Sequence, residues 1–253
     1  MAFGAASAVW AVFYGLAGAI VGSFVAALVL RWLEDRSVMA GRSACDHCGV
    51  TLRPWELVPV LSFVALRGRC ARCREPIDPV HWRIEALSAL IGASAGWVAG
   101  PDGWMGALFG WSLLALGALD ALAFWLPDRL TLWLAMTGVL TGLLGQTPPL
   151  GDRLVGGVIG FGGLWAIGAG YRWWRGREGL GGGDPKLLGA IGLWLGWRMI
   201  PGVLLVACII GLSFVGMRLV MGRGARGQDM VPLGLLLALA AYPAWVMMIG
   251  MAP

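Results

Sequence analysis

Charge is what this chain has least of. Charged residues make up 13% of its 253, against 58% hydrophobic, and its mean hydropathy is +0.77. That balance excludes an ordinary soluble domain. Histidine is nearly absent, with only His47 and His81. There is no HExxH pair and no serine–histidine couple in a catalytic setting, so zincin chemistry and hydroxyl nucleophiles of the triad kind are excluded. No glycine-rich dinucleotide fingerprint and no convincing internal repeat appear. The first apolar run has no basic segment before it, so it reads as a span that stays in the mature protein rather than a cleaved leader.

What the chain does have is apolar runs of bilayer length, which need roughly 20 residues each. Eight are read, at about 8–30, 84–100, 104–120, 130–146, 154–172, 186–200, 201–219 and 231–250. Only Arg198 and Pro201 punctuate the sixth and seventh. The net charge of +5 is unevenly placed. Bases gather between runs one and two (Arg31, Arg36, Arg42, Arg53, Arg67, Arg69, Arg72, Arg74), between five and six (Arg172, Arg175, Arg177, Lys186) and between seven and eight (Arg218, Arg223, Arg226). The positive-inside rule puts these loops in the cytoplasm. Their bases are read as topology signals, with no nucleic-acid partner. The expected fold is an all-α polytopic membrane protein with about eight transmembrane helices and a small zinc-binding cytoplasmic insert. Its expected parts are a first transmembrane helix (1–30), the insert (31–82) and a transmembrane domain (83–253).

The insert carries Cys45-Asp-His-Cys48 and Cys70-Ala-Arg-Cys73. Two C-x-x-C knuckles at this separation match four-cysteine zinc spacing, and four thiolates form a closed, structural site with no place for water. A cytoplasmic setting favours metal over disulfides, and an insert this small has little core of its own. Two redox-active C-x-x-C pairs are the competing reading. His47 and His81 read as surface residues, and Cys208, alone in the seventh run, as a small buried apolar side chain.

Two aspartates stand out against the apolar background. Asp120 closes the run from Trp111 to Leu119, and Asp184 follows the glycine string Gly181-Gly182-Gly183. A carboxylate in a span costs about 2.5–3.5 kcal/mol even on insertion scales, so each is a functional-site hypothesis. The eight-run topology places both at the cytoplasmic end of their helices. Asp184 also reads as an N-cap followed by proline at N1, and Asp120 as an end-of-span residue. The three glycines exceed what capping needs and allow close backbone approach of a ligand. The mid-run pairs Gly156-Gly157 and Gly162-Gly163 read as close helix packing. A pair of nearby carboxylates sharing one proton can activate water and protonate a leaving amine.

The segment Gly181-Gly-Gly-Asp-Pro-Lys-Leu-Leu188 resembles the GxGDxKLL signature of the type IV prepilin peptidases, membrane aspartyl proteases of the GxGD class. Asp120 with Leu126-Pro-Asp128 resembles their other aspartate motif. Arg42-Ser43, the four cysteines, Trp55 through Ser62, Leu66-Arg-Gly-Arg-Cys70, Ile77, Gly22-Ser-Phe24 and Glu85 follow the family order. The chain departs from the family at Ala26, at Ala121–Trp125, around Trp82-Arg83-Ile84 and at Pro232-Leu-Gly-Leu235. The resemblance implies a bifunctional enzyme of the bacterial inner membrane with its active site facing the cytoplasm. It would cut the short basic leader from prepilins and type II secretion pseudopilins after a glycine. It would then N-methylate the new N-terminus, commonly phenylalanine, with S-adenosylmethionine. On it Asp120 and Asp184 are catalytic, Gly181, Gly182, Gly183 and Lys186 meet substrate, Asp128 shapes its loop, and Cys45, Cys48, Cys70 and Cys73 hold zinc. Residues binding the methyl donor and the oligomeric state are not identified. A transporter with coupling carboxylates, or a non-catalytic scaffold of a pilus or secretion complex, are the alternatives.

Overall fold

The structure, a computed structural model, describes residues 5–38, 42–222 and 230–251. Arg223 and Arg226 of the last basic loop lie outside the described residues. Eight of the helices correspond to the eight expected runs: α1 (Ala5–Leu33), α3 (Pro79–Ala99), α4 (Gly103–Ala123), α5 (Asp128–Leu143), α6 (Leu150–Arg175), α7 (Gly183–Leu195), α8 (Ile200–Val220) and α9 (Leu233–Gly250), while the five-residue α2 (Leu61–Ala65) lies in the insert. Among the described residues five stretches are long and apolar enough to cross a membrane, one of them the 45 residues Pro79–Ala123 that hold both α3 and α4. The remaining two, α5 and α7, have 16 and 13 residues. They rise about 24 and 20 Å, short of the ~30 Å hydrocarbon layer. Among the described residues eight helices answer to the eight runs, and length alone does not license eight crossings.

Helix ends follow local chemistry. Asp78 accepts the Val80 amide at 2.8 Å with Pro79 at N1, which starts α3. The boundary between the sixth and seventh runs is set by Gly196, at φ +75°, and a 3-10 turn, Trp197–Met199, rather than by Arg198 or Pro201. A side chain rarely adopts that φ, so the residue that ends α7 is glycine.

The chain forms two compact units, divided within α4 at residues 115 and 116. In the first, α1 and α3 touch backbone to backbone. A Cβ at Gly18 would lie 2.2 Å from the Ser88 carbonyl oxygen, and one at Gly92 2.0 Å from that of Tyr14. In the second, a Cβ at Gly192 would lie 2.2 Å from the Gly156 oxygen, so α6 and α7 meet as the sequence leads one to expect. Gly162 and Gly163, expected to pack likewise, have nothing within 4 Å of a Cβ. Cys208, expected inside, is exposed on α8.

The end of α7 away from Asp184 is held by a buried guanidinium. Arg153, 2% exposed, donates to the carbonyls of Pro148 (2.8 Å), Thr147 (2.9 Å), Gln146 (3.3 Å), Gly138 (3.1 Å) and Leu193 (3.1 Å) and to Thr141 Oγ1 (3.0 Å). None of these acceptors is a carboxylate. The charge is met by carbonyls near the C-terminal ends of α5 and α7, the negative ends of two helix dipoles. A lysine has three donors on a point charge and cannot reproduce this fork. We expect Arg153→Lys and Arg153→Met both to lower the thermal unfolding midpoint in detergent. The methionine variant should lose on the order of 3 kcal/mol, because it leaves several buried acceptors unmatched.

Candidate active site

Asp120 lies in the last turn of α4 and Asp184 in the first turn of α7. Both are buried, at 5% and 7% exposure. The structure brings them to one end of the second unit, where Asp120 is within direct electrostatic reach of Asp184. Asp120 Oδ2 accepts the Leu235 backbone amide at 2.9 Å. That amide belongs to the first turn of α9, whose N–H groups have no intrahelical partner. Gly234 makes the approach possible: a Cβ there would stand 2.9 Å from Asp120 Oδ2 and 3.0 Å from Leu126 Cδ1. Leu126 also seats against Gly183, where a Cβ would fall 2.8 Å from its own. One leucine side chain thus fills the space between the strand of glycines and the start of α9.

The glycine string divides its tasks. Gly183 makes room for Leu126. Gly181 makes room for Asp184, whose Oδ2 would stand 2.8 Å from an added Cβ. Gly182 has nothing within 4 Å, so steric crowding within the chain does not require a glycine there. Asp184 is not the cap of α7. Gly182 occupies that position, with no side-chain cap bond, and the Asp184 carboxylate is left for other work. Lys186, expected to meet substrate, pairs with Asp128 Oδ1 at 2.6 Å. It ties the first turn of α7 to the first turn of α5 and so fixes the Leu126-Pro-Asp128 turn.

The insert presents a second constellation. The sulfurs of Cys45, Cys48, Cys70 and Cys73 lie within 4.8 Å of one another, with Cys45 and Cys73 3.8 Å apart. A tetrahedral ion with metal–sulfur bonds of about 2.3 Å needs sulfurs about 3.8 Å apart, so the cluster can hold one. The two knuckles repeat the same backbone pattern. Cys45 N–H donates to Val50 O (3.0 Å) and Cys70 N–H to Glu75 O (2.9 Å); Gly49 donates back to Cys45 (2.9 Å) and Arg74 to Cys70 (3.1 Å). One antiparallel bridge closes each, Ala44 with Thr51 and Arg69 with Pro76. The Arg72 amide donates to Cys70 Sγ at 3.4 Å and, with the Cys73 amide, holds its thiol down at about 6, while burial and the neighbouring sulfurs push the Cys73 thiol up to about 12.

The turning position is Gly49 in the first knuckle, at φ +68°, and Arg74 in the second, at φ +65°. Left-handed backbone costs a non-glycine residue roughly 1–2 kcal/mol. We expect Arg74→Gly to slow metal loss to a chelator and Gly49→Arg to speed it, each by a factor of several, as read by zinc release to a chromogenic dye.

The insert also holds a strained turn next to a buried acid. Val60, at φ 61°, is the centre of a γ-turn closed by Leu61 N–H to Pro59 O, a conformation rare for a β-branched residue. The buried Glu85 accepts the Val60 amide at 2.7 Å and holds the turn in place.

Sequence reasoning missed Leu126, Gly234 and the Leu235 amide as neighbours of the aspartates. The departure Pro232-Leu-Gly-Leu235 was the available signal, since a glycine in a helix's first turn marks a place where something comes close.

Comparison with known proteins gives the family. Residues 16–99 match a family model described as the bacterial peptidase A24 N-terminal domain, and residues 107–216 match the type IV leader peptidase family. Both aspartates fall in the second match and all four clustered cysteines in the first. The chain is 39% identical to the prepilin leader peptidase/N-methyltransferase of Burkholderia pseudomallei, over 87% of this chain and 80% of that protein. It is 38% identical to the protein of the same name from Aeromonas hydrophila, over 82% and 72%, and 35% to that of Pseudomonas aeruginosa, over 80% and 70%. No solved structure matches.

Proposed function

Because the chain belongs to the type IV leader peptidase family, we propose that it is a membrane aspartyl endopeptidase that removes the short basic leader of type IV prepilins and type II secretion pseudopilins. It cuts after a glycine at the cytoplasmic face of the bacterial inner membrane and then N-methylates the exposed residue. The observation that carries the reading is the convergence of buried Asp120 and Asp184 from different helices.

Two such carboxylates share one proton. One takes a proton from a water as the water oxygen attacks the scissile carbonyl carbon. The other donates its proton to the carbonyl oxygen. The tetrahedral diol then collapses, the C–N bond breaks, and the leaving amine takes up a proton from the pair. The Leu235 amide occupies Asp120 Oδ2, which orients the carboxylate and leaves Oδ1 for the water. Gly182, open on its Cβ side, lets an extended peptide backbone approach Asp184.

The four cysteines hold structural zinc. Four sulfurs fill a tetrahedral ion and leave no position for a reacting water, so the metal serves the insert and not the hydrolysis. S-Adenosylmethionine supplies the methyl group, and no residue is assigned to it. A transporter with coupling carboxylates, or a scaffold, predicts no proteolysis at all. The test is mass spectrometry of the N-terminus of a co-expressed prepilin, which reads cleavage position and methylation together. An intact leader in the presence of the folded protein would sink the reading.

A further inference from the structure

Beside the glycine string, the C-terminal half of α6 and the loop before α7 enclose a cleft of about 320 Å3, lined by Phe161, Trp165 and Ala169 on one side and Leu180 and Gly181 on the other. The cleft adjoins the candidate dyad through Gly181, where an added Cβ would stand 2.8 Å from Asp184 Oδ2. Phe161 and Trp165 are one helical turn apart and are 45% and 56% exposed, so each leaves apolar surface uncovered.

The rim has the opposite character. Arg172, paired with Glu178 at 3.4 Å, and Lys186, paired with Asp128, stand at its edge. A basic leader would meet these cations, whereas an apolar side chain would meet the two aromatic rings. We propose that this cleft is the subsite for the apolar side chain immediately after the scissile bond, with Trp165 and Ala169 setting the size it accepts. The proposal rests on the leader-peptidase reading and deepens it.

The test uses the full chain reconstituted in liposomes and two synthetic substrates, each with a basic leader ending in glycine, then phenylalanine or alanine, then an apolar helix. The quantity read is the ratio of kcat/KM for the phenylalanine over the alanine substrate. Filling the cleft with Ala169→Trp should lower that ratio about tenfold or more, since a size mismatch in an apolar pocket is worth 10- to 200-fold. A general loss of folding or activity would leave the ratio unmoved, and an unmoved ratio overturns the assignment. A second measurement does not depend on that variant. A substrate carrying benzoylphenylalanine after the glycine, trapped on Asp184→Asn, should photocrosslink to residues 161–169 or 180–186. Adducts confined to α8 or α9 overturn the assignment while leaving the peptidase reading intact. Failure of the unmodified protein to cut either substrate overturns both.

Discussion

Asp120→Asn and Asp184→Asn will each lower prepilin cleavage by about 10²–10⁴-fold, the contribution expected of a general acid–base step, while leaving the protein folded. The folding half of the expectation comes from the geometry. The asparagine carbonyl oxygen at position 120 can still accept the Leu235 amide, now at 2.9 Å from Oδ2, and the side chain keeps its volume against Gly234 and Leu126. At 184 no cap bond is lost, because none is made. What each substitution removes is the ability to exchange a proton with water or with the leaving amine. The double variant should be no slower than either single one, since groups acting as a unit do not contribute additively. Cleavage of a co-expressed prepilin, followed by mass, reads the loss, and a thermal scan in detergent checks the fold. Wild-type cleavage by both single variants would end the dyad account; equal, multiplicative losses would point to two independent roles.

How much of this was legible beforehand depends on whether a residue's job is written in its own side chain. The aspartates were conspicuous because a carboxylate is costly in an apolar run, and the cysteines because two thiolates on one tight turn need a fixed spacing. The helices followed from hydropathy, with edges moved by a few residues. The partners of those residues were not legible. Leu235 meets Asp120 through a backbone amide, which carries no side-chain signature. Arg153 belongs to none of the three basic clusters, and its importance arises only when the ends of α5 and α7 converge on it. Lys186 is next to the glycine motif in sequence, yet its ammonium is drawn to Asp128, 58 residues away. The pair Gly162-Gly163 looked the same as Gly156-Gly157, but only Gly156 and Gly157 lie where α7 comes against α6, and nothing reaches the other two. Period and composition find the elements and the expensive residues. Which backbone group or counter-charge meets them is decided by tertiary approach.

Removing the metal should undo the insert. Among the described residues from 42 to 78, Cys70 alone is buried. A segment of that length with no apolar core cannot hold itself against chain entropy. Its order has to come from the cluster, and structural zinc in small peptides contributes about 10–16 kcal/mol at neutral pH. Cys45→Ser or Cys70→Ser should drop zinc from one ion per chain to near zero. The arginines at 53, 67, 69, 72 and 74 are exposed, so trypsin reads the outcome directly. In the zinc-loaded protein the knuckle backbones are bonded at both ends of each turn and should resist cutting. In the serine variants, or after a strong chelator, cleavage should fall within 42–78 while the helices of the second unit stay intact. Acid should act like the chelator. The ligands are thiolates, so protons compete with the ion, and metal is retained at higher pH and lost as pH falls. The same tryptic pattern with and without metal would show that the insert is ordered by something other than its cysteines. Unchanged zinc content in Cys45→Ser would remove that residue from the ligand set.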